Sequence, residues 1–111
     1  MPIAERTLEI FDGTDTHPVK ILIFTPRQTK FGDWACDYKI GWPEGPHTFA
    51  GHGIDSLQAL VLALEMVGTE LYTSAYHRDG QLRYSGQRGG YGFPVAPNCR
   101  SLLVGDDREH F

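Results

Sequence analysis

Cysteine is nearly missing from this chain: Cys36 and Cys99 are the two among 111 residues. Two are too few for a disulfide framework, and no C-x-x-C spacing points to zinc or dithiol redox chemistry. Long apolar runs are missing as well, and without a stretch of 18 apolar residues no helix is expected to span a membrane. The opening Met-Pro-Ile-Ala-Glu-Arg-Thr has neither the basic start nor the apolar core of a secretory leader, so a reduced, cytoplasmic location is expected. Nor is there a basic excess. The formal net charge is −4, and residues 1–79 hold six Lys/Arg against eleven Asp/Glu. An acidic body argues against nucleic-acid binding, which shows a basic face. It suits solubility first and a basic protein partner second.

What is present is ordinary for a globular protein: 41% apolar and 22% charged residues, in a length that makes one domain over residues 1–111. Arg6–Phe11 alternates as a short strand, and Asp12-Gly13 opens a loop to Pro18. Val19–Thr25 is apolar on both faces, the pattern of a central strand. Asp33–Ile40 alternates cleanly, with Trp34, Cys36, Tyr38 and Ile40 on one side. A Gly/Pro-rich connector then leads to a fourth strand, His47–His52. Short connections favour antiparallel pairing.

The stretch from Asp55 to about His77 is the one long helical pattern, and 22 of its residues, Asp55–Tyr76, would span roughly 33 Å. Asp55 is placed to cap it, and Gln58 to reach back to the cap's N–H. Steps of 100° put Leu57, Leu60, Val61, Leu64, Leu71, Tyr72 and Ala75 on one face, the expected core stripe. Gly68 falls within that stripe, which suggests close approach of a strand or of the Trp34 or Tyr38 ring. Asp79-Gly80 supplies the stop. The expected fold is therefore α+β: an antiparallel meander of four or five strands on one long helix, residues 55–77. An irregular Gly/Pro-rich segment follows. Within it Gln81–Ser85 is a possible fifth strand and 105–111 a loose tail.

Ala59, Leu62 and Met66 lie opposite the expected stripe, where a one-sided helix should be polar. Either the 95–104 run folds over them or another molecule does, a second copy or a foreign protein; Leu62 and Met66 are the candidate partner-binding residues. Arg83, Arg88 and Tyr91 lie in and beside the Gly86–Gly92 stretch, whose exposed N–H groups could hold an anion, although the P-loop string is missing.

The remaining polar clusters read as structure. His52, Asp55 and Ser56 contain the side chains of a hydrolase triad, yet adjacent positions rarely align one, and Asp55 serves better as a cap. His47 and His52, five apart on a strand, diverge, so no metal is assigned. Cys36 sits on an apolar strand face as an inert core thiol, and Cys99 beside Arg100 lacks a placed histidine. No catalytic residue and no cofactor is assigned.

The strings G-I-D-S-L-Q-A-L-V-L-A-L (Gly53–Leu64), W-A-C-D-Y-K-I (Trp34–Ile40) and G-F-P-V (Gly92–Val95) resemble an uncharacterised family of small bacterial proteins, over most of residues 5–97. The helix motif is G-x-D-S-x-Q-A-L-x-x-A-L, and its D-S-x-Q-A-L core is the distinctive part. The resemblance implies a domain of unknown function and brings no catalytic residues. Some bacterial proteins of this type and size are immunity proteins. The expected function is a non-enzymatic interaction module, such as an immunity-type inhibitor, bound to an unknown protein or to itself. The alternative is a small ligand- or anion-binding domain, or an enzyme, using residues 78–100.

Overall fold

The computed structural model describes residues 1–84 and 90–111. Among these residues six strands form one sheet: β1 (Pro2–Phe11), β2 (Thr16–Phe24), β3 (Arg27–Gln28), β4 (Trp34–Trp42), β5 (Gly45–Gly53) and β6 (Leu82–Arg83). Every pairing is antiparallel. β2 lies between β1 and β4, as its two apolar faces lead one to expect. β5 lies along the far side of β4, and β6 returns to the opposite edge beside β1.

The strands run longer than their alternation suggests because two turns are tight. Between β1 and β2 the Asp12 carboxylate accepts from the Thr14 and Asp15 N–H groups at 2.9 and 2.7 Å, and Gly13 takes a φ of +97°. Between β4 and β5, Trp42 pairs with Gly45, so Pro43-Glu44 alone turns the chain. That turn sets the register Cys36↔Gly51, Tyr38↔Phe49 and Ile40↔His47.

The main helix, α1, covers Ser56–Tyr72 rather than 55–77. Asp55 caps it, its carboxylate accepting from the Gln58 N–H at 2.8 Å. The Gln58 side chain reaches one residue past the cap to the Ile54 N–H, at 2.7 Å. The early end has a local cause. Thr73 Oγ1 donates to the Thr69 carbonyl and Ser74 Oγ to that of Leu71, each at 2.7 Å, so two hydroxyls in a row compete for the last turn. Ser74 then turns extended and caps a separate helix, α2 (Ala75–Arg78).

The buried seam of α1 matches the expected stripe at Gly68, Leu71 and Tyr72 but departs from it in the first half of the helix. Ala59, Ala63, Val67 and Leu71, each four residues on, face the sheet, whereas Leu57 is 66% and Val61 43% exposed. Small residues make the contact because Gly51 and Gly53 of β5 lie beneath them. A Cβ on Gly51 would stand 2.4 Å from the Ala63 nitrogen, and one on Gly53 2.6 Å from that of Ala59. The helix thus beds backbone to backbone along β5 and extends over β4.

The C-terminal segment is a strap. Residues 90–96 cross α1 with Tyr91, Phe93 and Val95 buried, and the Pro94 carbonyl lies over Gly68. A 3₁₀ turn (Pro97–Leu102) brings the chain back to buried Leu103, and α3 (Gly105–His110) forms where a loose tail was expected. Its Asp107 is fully buried. The carboxylate accepts from Tyr72 Oη at 2.6 Å and from the Tyr91 and Gly92 N–H groups at 2.7 and 2.8 Å. On the other side of the strap the Arg6 guanidinium donates to the Tyr91 and Gly92 carbonyls, at 3.0 and 3.2 Å. Two opposite charges from remote elements therefore hold the strap by its backbone. No helix among the described residues is long and apolar enough to cross a membrane.

Candidate functional site

Among the described residues, apolar clefts lie on both flanks of α1. One, of about 320 Å³, lies on the β1–β2 side and is bounded by Ile21, Ile23, Leu64, the strap residue Phe93 and Phe111. The other, of about 420 Å³, lies along β5 and combines an apolar lining with convergent polar groups. Leu62, Met66 and Thr69 form its helical wall, Phe49 and His47 its strand wall, and Ala96 of the strap lies at its side, with its N–H held by Thr69 Oγ1 at 3.0 Å.

The polar end is built from three elements. Glu70 of α1 accepts from the Tyr38 hydroxyl with one carboxylate oxygen and lies 2.5 Å from His47 Nδ1 with the other. Burial, and then the bond to Glu70, push the Tyr38 hydroxyl well above its ordinary pKa, so it stays a neutral donor. The carboxylate fixes the imidazole through Nδ1. Beyond this end Trp42 and Tyr76 stack with centroids 5.4 Å apart, and Tyr76 Oη donates to Glu44 at 2.8 Å. Among the described lining residues there is no serine, cysteine or lysine, and Thr69 already serves the strap. The arrangement therefore offers an apolar trough with an anionic, hydrogen-bonding end.

β5 is the edge strand here. Among the described residues its one strand partner is β4, so the outer backbone edge of a nine-residue strand has no strand beside it. Phe49, in the middle of β5, is 56% exposed, and the His47 side chain 45%.

Leu62 and Met66 thus come together, but on the flank of α1 beside β5 and half-buried, while Ala59, grouped with them by sequence, is in the core. The solvent-facing apolar residues of α1 are Leu57 and Val61, which the expected stripe had placed inside. Arg83 is exposed on β6, its guanidinium 4.6 Å from the Phe11 ring centre. Tyr91 is buried, 5.1 Å from Tyr72 and bonded through its hydroxyl to His77 Nδ1, and burial raises its pKa to about 12. Arg88 lies outside the described residues. His52 faces Asp33 at 3.7 Å while His47 faces Glu70, and Asp55 is taken by its cap, so these polar residues do not converge. Among the described residues no group of three or more His, Cys, Asp or Glu is arranged to hold a metal ion.

Sequence reasoning missed Tyr38, His47, Phe49 and Glu70 as one site. The available signal was the tight turn at Pro43-Glu44, which fixes Tyr38 against Phe49 and places His47 two residues away on the same face. No curated protein and no solved structure matches this chain. One family model does, over residues 4–95, which run from β1 to Val95 of the strap, and the chain belongs to that family, described as Domain of unknown function (DUF6968).

Proposed function

We propose that this chain is a non-enzymatic protein-interaction module whose contact face is the trough between α1 and β5 together with the β5 edge. The observation that carries the reading is the coincidence of half-buried Leu62 and Met66, exposed Phe49 and an unpaired strand edge on one face. Exposed apolar surface beside open backbone groups is what strand addition uses: main-chain bonds give affinity and a side-chain trough gives selectivity. An immunity-type inhibitor is the form of this reading in which the partner is foreign and basic. The acidic body and the Glu65 and Glu70 carboxylates at the trough support it. Bacterial origin and action in a reducing cytoplasm belong to the same reading, and the two unpaired thiols accord with the latter.

The test is to replace Leu62 or Met66 by Asp and measure association, by sedimentation of the purified chain and by retention of proteins from extracts of its source cells. Both variants are expected to keep the wild-type circular dichroism spectrum and to lose the association that the wild type shows. Unfolding of both variants would mean that the trough is core. Association undiminished in both would place the contact face elsewhere.

A further inference from the structure

We infer that the occupant of this face is a second copy of the chain, paired antiparallel along β5 about a two-fold axis through Phe49. The inference rests on the contact-face reading above and names the partner for it.

Three features of β5 point to self-pairing. First, Gly45–Gly53 contains no Asp, Glu, Lys or Arg, the residues that usually guard an exposed edge; Pro46, at one end, is its one edge-blunting residue. A charge at the centre of the strand would meet its own copy across a two-fold axis, and Phe49 stands there instead. Second, the strand has nine residues and Phe49 is the central one. A two-fold axis there pairs Gly45 with Gly53, His47 with Gly51 and Phe49 with its own counterpart, the one symmetric register that uses the whole strand. The two Phe49 rings meet on the helix side of the sheet, and no large side chain opposes His47.

Third, the helices fit. α1 packs on both β4 and β5. It lies directly against Gly51 and Gly53 of β5, so pairing the two copies of β5 about a two-fold axis brings the two helices side by side on one face of the sheet. The flanks that then face one another carry Leu62 and Met66 with Glu65 beside them, and the two troughs meet above a sheet continuous through both copies, their Glu70 carboxylates already taken up by Tyr38 and His47. A foreign strand without a helix of its own would pair with β5 and leave the trough open.

The test is sedimentation equilibrium on the full chain as wild type, as Phe49→Lys, as Phe49→Asp, and as an equimolar mixture of the two variants. Phe49 is more than half exposed in the single chain, so the fold tolerates either substitution. The wild type is expected at twice the 12.4 kDa monomer mass. Each variant alone should associate at least about a hundredfold more weakly, because it brings like charges face to face. The mixture should recover the dimer, because Lys then faces Asp. A wild type that stays monomeric, variants that dimerise as well as the wild type, or a mixture that stays monomeric would each overturn the inference. A monomeric wild type that retains a foreign protein, lost on Met66→Asp, would overturn the dimer alone. A wild type with no association of any kind would overturn the contact-face reading too.

Discussion

At Gly68 the surface of α1 bears no side chain because the Pro94 carbonyl occupies the place of one: a Cβ there would stand 1.8 Å from that oxygen. Two opposed effects attend Gly68→Ala. Alanine favours a helix interior over glycine by about 1 kcal/mol. Displacing the Pro94 carbonyl costs more, because Arg6 and Asp107 anchor the strap just upstream at Tyr91 and Gly92, overpacking typically costs about 1–3 kcal/mol, and this overlap is severe. We expect a net loss of about 1–2 kcal/mol in urea unfolding. An unchanged or raised midpoint would show that the strap yields freely. The sequence already marked Gly68 as a point of close approach. It named the wrong neighbour, a strand or aromatic ring, because the alternation of Tyr91, Phe93 and Val95 marks which face the strap buries but not the element it crosses.

α1 and β5 illustrate what can and cannot be read at the level of the element. Periodicity located the helix and its Asp55 cap, but not its rotation. Ala59 and Ala63 weigh little on any hydrophobic scale, yet they form the seam, because Gly51 and Gly53 beneath them permit backbone contact. Leu57 and Val61, heavier on those scales, are left outside. The break after Tyr72 was also missed, since Thr73 and Ser74 are tolerated in helices until their hydroxyls find backbone partners. It creates α2, whose His77 meets Tyr72 and Tyr91 at centroid distances of 4.9 and 5.5 Å. Burial lowers the pKa of His77 below the ordinary 6.5. In the window between the two values the unfolded chain binds more protons than the folded one, so folding stability falls as pH drops below about 6.5. Urea midpoints from about pH 7 to about pH 5 should decline less steeply for His77→Gln than for the wild type. Parallel curves would assign the decline to other groups.

For the molecule as a whole, the alternating strands and short connections were enough to anticipate an antiparallel α+β architecture, because one buried face per strand leaves a period-two mark. The strap shows the same alternation at Tyr91, Phe93 and Val95, but this does not tell what it crosses, and α3 shows none. They are held by single long-range contacts, Arg6 to the carbonyls of residues 91 and 92 and Asp107 to their N–H groups, which no local pattern encodes. The contact face stands between these cases. Leu62 and Met66 could be picked out as apolar residues lacking an explanation, whereas Tyr38, His47 and Phe49 join them through the β4–β5 register and the lie of the helix. Amide hydrogen exchange of the purified chain at low and high concentration tests that face most directly. Exchange along β5 is expected to slow as concentration rises, with smaller changes on the Leu62–Met66 flank of α1 and none on β6. Exchange along β5 that is independent of concentration, while protection grows on another surface, would contradict the account.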